Sequence, residues 1–229
     1  MDERALKTAE EELRARFADR VRATPARSDP RPMGTGPPNR HGMPRLPPHQ
    51  VGRQGWPVLD LGIVPRIPAT ELKLAVEGAV ERPLSLSYPD LLALPQESAE
   101  VDFHCVTGWS RLDLRLSGVR LATVAALAGP RPDATHVLLH AHDGYTTNLP
   151  LEEALKEDVL LVHTARGARL SVEHGGPLRL VAPELWGYKS AKWLSRVEVL
   201  TKNVKGYWER NGYSDGAHPW RNDRESRGG

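Results

Sequence analysis

A run of prolines between residues 25 and 48 is the feature that most limits how this chain can fold. Eight of the residues in that stretch are proline. Proline fixes φ and has no backbone N–H, so the stretch supports neither a helix nor a central strand. We therefore predict a Pro/Gly-rich extended arm over residues 25–54. Arg40 and His41 within it either reach inward or lie on the surface, and the sequence leaves both readings open.

The residues before the arm carry the pattern of one amphipathic helix. Their apolar side chains recur at steps of three and four: Leu6, Ala9, Leu13, Phe17 and Val21. This period predicts a helix over residues 3–22, within an N-terminal segment 1–24, with one face packed on the body of the protein.

After the arm the pattern becomes that of a folded domain, which we place at residues 55–220, followed by a flexible tail over 221–229. Short apolar runs predict strands at "LKLAVEGAV", "HVLLH", "VLLVH", "LRLVA" and "WLSRVEVL". Helix signals occur in "SLSYPDLLALP", in "LPLEEALKED" and in "VRLATVAALAG", which should stop at Gly129. Strands and helices do not alternate regularly, so the pattern favours an α+β fold.

The composition of the chain limits the kinds of partner that we expect it to bind. The chain has 31 basic and 29 acidic side chains, so no large field favours nucleic acid. The N-terminus is charged, and no run reaches the roughly 18 apolar residues that a membrane span needs. The single cysteine cannot form an internal disulfide. We expect a cytoplasmic protein with no membrane span.

That cysteine, Cys105 in "VDFHCVTGWS", fits three roles: a small buried residue, a nucleophile or a metal ligand. His104 is a poor activator for it, because neighbours on an extended chain point to opposite faces. His136, His140 and His142 share a strand face and form a second conceivable metal set, although structural zinc sites usually include cysteines. The residues alone favour the buried reading of Cys105 and leave the others open.

A second stretch, "EHGGPLRLVAPELWGYKSAKW", collects what an anionic ligand needs. A glycine turn at 175–177 precedes Arg179, which is flanked by leucines and is costly to bury unpaired. Lys189, Ser190 and Lys192 follow among aromatic and small residues. The stretch predicts a site for a phosphate-bearing ligand, although no Walker loop is present, and an ordinary surface loop is the competing reading.

Four stretches in one order carry a family resemblance. "FHCVTGWS", "DGYTTNLPLE", "EHGGPLRLVAPELWGYKSAKW" and "GYWERNGY" resemble the molybdopterin-binding oxidoreductase domain of the sulfite oxidase superfamily. The resemblance covers residues 55–220 and is strongest to short bacterial members, including relatives of a methionine-sulfoxide reductase subunit. It implies a mixed-sheet domain and a molybdenum–molybdopterin cofactor without a nucleotide.

The resemblance also implies roles for individual residues. Cys105 matches the family's thiolate ligand to molybdenum, and a soft donor suits that metal. His174 and Arg179 match the residues that hold the cofactor phosphate. The complete cofactor-binding set that it implies is His104, Cys105, Thr107, His140, Ala141, His142, His174, Arg179, Ser190, Ala191 and Lys192. The sulfoxide-reductase relatives have a threonine at the strand end where this chain has 140–142, so that contact is lost here or made by backbone.

The predicted catalytic set adds three residues to Cys105. His163 stands near the place of the sulfite oxidase tyrosine, and Trp109 and Arg111 follow the cysteine. A packing role for Trp109 and a surface position for Arg111 are the other readings. One arginine is fewer cations than a doubly charged sulfite requires.

The activity implied is two-electron oxygen-atom transfer on a small S- or N-oxide or a sulfite-like substrate. The sequence has no CxxCH haem motif and no immunoglobulin-like dimerisation domain. We therefore expect a monomer that exchanges electrons with a separate cytochrome, flavoprotein or quinone-linked subunit. A non-catalytic molybdopterin carrier of the same fold and a histidine-based hydrolase or zinc protein are the alternatives.

Overall fold

A computed structural model describes residues 2–22 and 32–225 of the chain. Predictions for the arm at residues 25–31, for the tail at 226–229 and for the side chain of Val21 lie outside the described residues. Among the helices described, none is both long and apolar enough to cross a bilayer.

The N-terminal segment forms the predicted helix, α1 (Glu3–Arg22). Its apolar face is buried at Leu6, Leu13 and Phe17. That face packs on the apolar helix α3 (Leu121–Ala128), which ends, as predicted, at a left-handed Gly129. The segment is thus part of the folded body.

The described part of the arm holds only short strands at the edge of the fold. β1 (Thr35–Pro38) and β2 (Pro44–Leu46) pair with each other in a separate two-stranded sheet. β3 (Val51–Gly52) joins the end of a larger sheet. His41 reaches inward, with its Nε2 2.9 Å from Asp158 Oδ2, whereas Arg40 is exposed.

The body is built from two sheets. The first has six strands, in which β3, β6 and β10 pair with β7, and β11 and β12 pair with β10. Its remaining strands are β6 (Glu97–Cys105), β7 (Trp109–Arg120), β10 (Leu160–Ala165), β11 (Ala168–Arg169) and β12 (Arg179–Val181).

The second sheet has five strands in the order β5-β4-β13-β8-β9. These strands are β4 (Lys73–Gly78), β5 (Leu84–Ser87), β8 (His136–Ala141), β9 (Thr146–Pro150) and β13 (Leu194–Leu200). β13 runs parallel to β4 and antiparallel to β8, so the sheet is mixed. The short helices are α2 (Tyr88–Ala93), α4 (Leu151–Ala154) and α5 (Tyr207–Arg210). The predicted α+β, mixed-sheet fold is confirmed.

The six-stranded sheet is apolar on both faces. Successive residues of a strand point to opposite sides, so Leu161 enters the large core while Leu160 and Val162 enter a smaller one. Phe103 belongs to the smaller core, and Trp56 and Trp109 pack against it. One wall of the candidate site is made by these aromatic residues.

Candidate functional site

The two sequence motifs meet in one cleft of about 340 Å³. Cys105 is the last residue of β6, and residues 106–108 turn the chain into β7. The glycine turn and β12 bring the second motif to the same cleft. The predicted site residues that line it are Cys105, Thr107, Trp109, His174, Arg179, Ser190 and Lys192.

Cys105 is a largely enclosed thiol, 7% exposed. Its Sγ lies 3.1 Å from Thr107 Oγ1. Burial raises the pKa of the thiol, against the hydrogen bonds from Thr107 and the charge of Arg224, which lower it. A free thiol in this setting is a weak nucleophile, whereas a bound metal would displace its proton.

His104 points away from the cleft. Its Nδ1 shares a 2.8 Å hydrogen bond with Ser110 Oγ, and its ring meets Trp220 edge-on at 5.3 Å. Burial lowers the pKa of His104 to about 4, against a smaller opposing effect of Asp102, so the imidazole is neutral. The alternation expected from an extended chain is thus present, and His104 is not placed to activate Cys105.

Arg179 is a buried guanidinium, 4% exposed, surrounded by carbonyl oxygens. It donates to His174 O and Ser190 O, both at 2.9 Å, and to Leu180 O at 3.2 Å. No carboxylate of the described residues forms an ion pair with it. Burial lowers the pKa of Arg179 to about 9. A cation this deeply buried suits a site that receives an anion.

Lys192 and His174 lie at the same end of the cleft as Arg179. Lys192 Nζ donates to Glu173 O at 3.0 Å and lies 3.7 Å from Asp60 Oδ2. Burial lowers the pKa of Lys192 to about 8, and the charge of Arg179 lowers it further against Asp60. Burial and Arg179 also lower the pKa of His174. An anion bound here would relieve the repulsion among these groups.

A row of aromatic rings joins the two ends. Trp109 is the cross-strand partner of Cys105, and its ring stacks on Phe103 at 6.0 Å. Phe103 contacts Trp56 at 5.6 Å, and Trp56 stacks on His174 at 4.3 Å. The Arg179 guanidinium lies 4.9 Å from the Trp56 ring. The cleft therefore has a thiol end, an apolar wall and a cationic end.

Trp56 and Asp60 are site residues that sequence reasoning missed. Both belong to the segment that follows the arm, and both line the cleft. No motif marks them, and the contacts that bring them to the cationic end, Trp56 with His174 and Asp60 with Lys192, join residues more than 100 positions apart. The signal that the sequence offered is a single charged residue, Asp60, within an apolar run that begins at Trp56.

Several predicted site residues lie outside the cleft lining. His163 Nε2 is hydrogen-bonded to Gln96 Oε1 at 2.8 Å, and Arg111 is half-buried away from the cleft. His140 pairs with Glu198 at 2.8 Å. The others are the buried Ala141 and Ala191 and the exposed His142.

Lys189 is not a free cation of the anion site. It is fully buried, and its Nζ donates to Glu209 Oε1 at 2.6 Å and to Asn148 Oδ1 at 2.7 Å. The grouping of Lys189 with Ser190 and Lys192 as anion ligands is therefore wrong, because the carboxylate of Glu209, 20 positions later in the sequence, already neutralises Lys189.

The histidine set 136, 140 and 142 does not gather as a metal site. Among the described residues, the metal-capable groups that converge are those of His41, Asp158 and Glu184, all within 4.8 Å. Lys156 Nζ lies 3.2 Å from Glu184. The cluster is thus already an ion-pair network that fastens the arm to the body.

Comparison with known proteins gives the family. Residues 61–208 match the oxidoreductase molybdopterin binding domain. The uncharacterized oxidoreductase YuiH of Bacillus subtilis is 46% identical over 181 residues, 79% of this chain and 91% of that protein. A putative protein-methionine-sulfoxide reductase subunit of Azospira oryzae, YedZ1, is 32% identical over 66% of this chain and 57% of its own length. Human mitochondrial sulfite oxidase is 30% identical over 66% of this chain but only 33% of its own.

A solved structure shows the same fold. The sulfane dehydrogenase SoxCD of Paracoccus pantotrophus superposes with a TM-score of 0.58 at 24% identity, over 65% of this chain and 42% of that one. The side chains of the cleft fit the cofactor of the matched family, since the cleft holds both an enclosed thiol and a buried guanidinium that has no carboxylate partner among residues 2–22 and 32–225. The chain belongs to the oxidoreductase molybdopterin binding domain family, within the sulfite oxidase superfamily, and its cofactor is molybdenum–molybdopterin.

Proposed function

We propose that the cleft holds molybdenum–molybdopterin with Cys105 as the protein ligand to the metal, and that the protein catalyses oxygen-atom transfer on a small substrate. The observation that carries the proposal is Arg179. It is a buried cation that shares a cleft with the only cysteine of the chain.

The cationic end is the place for the cofactor phosphate. Arg179 offers charge-assisted hydrogen bonds, and Lys192 adds to the positive field, while the lowered pKa of His174 favours a neutral imidazole that can still donate a hydrogen bond. Ser190 holds the loop in place, since its Oγ accepts from Ala182 N at 3.1 Å and its carbonyl accepts from Arg179. The roles of His104, His140, Ala141, His142 and Ala191 toward the cofactor stay predictions.

The thiol end is the place for the metal. When bound, the cofactor supplies two-electron oxygen-atom chemistry. Cys105 supplies a soft thiolate ligand, and Thr107 Oγ1 is close enough to donate a hydrogen bond to that sulfur. The aromatic wall excludes water from the region between the two ends.

The side chains beside Cys105 favour a substrate of low charge. Val106 and Trp109 line the cleft there, whereas Arg111 does not. A doubly charged sulfite needs more cations than this surface offers, so we favour an organic S- or N-oxide over sulfite. The catalytic roles of Trp109, Arg111 and His163 stay predictions.

The names of the relatives cover both substrate classes. One is described as a putative protein-methionine-sulfoxide reductase subunit and another as sulfite oxidase. We propose a separate electron-transfer partner for this chain, such as a cytochrome, a flavoprotein or a quinone-linked subunit. A monomeric state is also part of the proposal.

The test begins with cofactor content. Protein from a molybdenum-replete host should contain molybdenum and pterin in proportion to the chain, and Arg179→Ala should lose most of both because the phosphate loses its buried cation. Arg169→Ala, an exposed arginine on β11, is the matched control and should retain them. Equal cofactor content in the two variants would count against the phosphate role.

Turnover separates an enzyme from a carrier. Loaded protein should reduce sulfoxides or N-oxides with a reduced dye, or oxidise sulfite with an oxidised one. Loaded protein that turns over none of these substrates while passing its cofactor to an apoenzyme would favour the carrier alternative.

A further inference from the structure

Two segments outside the matched region close around the turn that carries Cys105. The family match covers residues 61–208. The turn at 105–108 is contacted from the N-terminal side by residues 48–53 and from the C-terminal side by residues 220–224. Residues 48–53 fall within the predicted arm, and residues 221–224 fall within the predicted flexible tail.

The N-terminal side holds the turn by backbone and amide bonds. Gln50 Nε2 donates to Cys105 O at 3.2 Å, and Ser110 Oγ donates to Gln50 Oε1 at 3.1 Å. Val51 N donates to Gly108 O at 3.0 Å, which extends the pairing of β3 with β7. One glutamine thus bridges Cys105, the first residue of the turn, and Ser110 in the strand that follows it.

The cation that contacts the turn from the C-terminal side is Arg224. Its guanidinium donates to Val106 O and, at 3.1 Å, to Pro48 O, so one side chain ties the turn to the N-terminal segment. Its Nε donates to Asn222 Oδ1 at 2.8 Å, and its Cζ lies 4.6 Å from the Trp186 ring. The Arg224 guanidinium is therefore held by hydrogen bonds to three residues and by its contact with the Trp186 ring.

The charge of Arg224 is not cancelled by an acid within the described part of the chain. All the acceptors of its hydrogen bonds are neutral oxygens. Burial lowers the pKa of Arg224, while attraction to a Cys105 thiolate raises it. A cation bonded to the residue next to Cys105 favours added negative charge at a metal bound there, because screening is weak in a partly buried site.

We propose that Arg224 is a positioning residue of the molybdenum site, which fixes the Cys105 turn and makes the bound metal easier to reduce. The inference rests on the proposed function, and it assigns part of the site to a segment beyond the matched family region. Gln50 holds the same turn through uncharged hydrogen bonds with Cys105 O and Ser110 Oγ.

The experiment is an EPR-monitored redox titration of the loaded enzyme, comparing wild type with Arg224→Gln and Arg224→Lys. Arg224→Gln should lower the metal midpoint potential, with a redox equilibrium shifted by roughly three- to tenfold. Arg224→Lys should keep most of the potential because it keeps the charge. Arg131→Gln removes a cation from an exposed loop and should leave the potential unchanged.

The outcomes separate this inference from the proposed function. A wild type without a molybdenum signal contradicts the proposed function. A wild type with that signal and an unchanged potential in Arg224→Gln overturns the role of Arg224. If Arg224→Gln folds by circular dichroism but loses molybdenum, retention by Arg224→Lys supports the role, and equal loss in both variants overturns its charge component.

Discussion

At the residue scale, the site depends on cations kept apart from their usual partners. Arg179 contacts carbonyl oxygens, and Lys192 Nζ lies 3.7 Å from Asp60 Oδ2, too far for a hydrogen bond. Burial lowers the pKa of both groups, to about 9 and about 8. The charged forms are therefore held at a cost that an anionic ligand offsets.

This arrangement predicts a pH dependence for cofactor retention. An anion binds the protonated Lys192, so affinity should be full below pH 8 and should fall above it, by at most about tenfold per pH unit for one proton. Besides burial, the charge of Arg179 lowers the pKa of Lys192, whereas the carboxylates of Asp60 and Asp143 raise it. The measurement is the rate of pterin release from loaded protein between pH 7 and 9.

A lysine-to-arginine change provides the control. Lys192→Arg should flatten the profile because arginine stays protonated throughout that range. A release rate with the same slope in both proteins would contradict the role of Lys192.

The sequence motifs pointed to several residues of the site, but they did not point to the partners that those residues contact. Four residues of the motifs, Cys105, His174, Arg179 and Lys192, line one cleft, while their roles stay predictions. They could not show that Glu209 neutralises Lys189, because burial and long-range pairing depend on the tertiary fold. Trp56 was missed for the same physical reason.

At the element scale, the glycine turn sets the spacing of the cationic end. Gly175 has φ +100°, and a Cβ there would lie 2.8 Å from Lys192 Cβ and 2.9 Å from its Cα. Only glycine allows the turn and the lysine to approach this closely. The close approach places His174 and Lys192 in one cleft.

Gly175→Ala should therefore destabilise the protein by about 2–4 kcal/mol, combining left-handed backbone strain with a steric clash. Gly144→Ala is the matched control, since Gly144 also has positive φ, +84°, but a Cβ there meets nothing within 4 Å. It should cost about 1–2 kcal/mol. Chemical denaturation measures both values, and equal losses would contradict the close-approach account.

Helices whose ends are marked by local sequence signals could be predicted, whereas strands defined only by their pairing with other strands could not. α2 has a capping box between Ser87 and Asp90, and α3 ends at a left-handed Gly129, both readable from sequence. β3 and β11 have two residues each and exist only through their ladders with β7 and β10. A strand that short has no periodicity to detect.

At the scale of the whole molecule, a buried ion pair joins parts of the chain around the cleft. Lys189 and Glu209 are both fully buried in their side chains, at 2.6 Å. Glu209 also accepts from Thr147 Oγ1 at 2.7 Å, and Lys189 donates to Asn148. The pair thereby connects β9 of the second sheet to α5 and to the loop after β12.

Lys189→Met should cost about 3–5 kcal/mol of unfolding free energy, because it leaves the Glu209 carboxylate buried without its partner. Adding Glu209→Gln should recover part of that loss, since the unpaired charge is removed. Urea denaturation of the two variants is the measurement. A double variant less stable than Lys189→Met would contradict this account of the pair.

The site as a whole is made where distant segments meet. The six-stranded sheet supplies Cys105 and Arg179, and the segment after the arm supplies Trp56. Conversely, α1 and the described part of the arm are packed on the body, so the folded unit extends beyond the matched residues 61–208.

The most direct test of the central claim is X-ray absorption at the molybdenum edge on loaded wild type and Cys105→Ser. We predict three sulfur neighbours of the metal in the wild type, two from the pterin dithiolene and one from Cys105. Cys105→Ser should fold normally and should show two sulfur neighbours or no retained metal. An unchanged sulfur count with full metal content in that variant would contradict the assignment of Cys105 as the ligand.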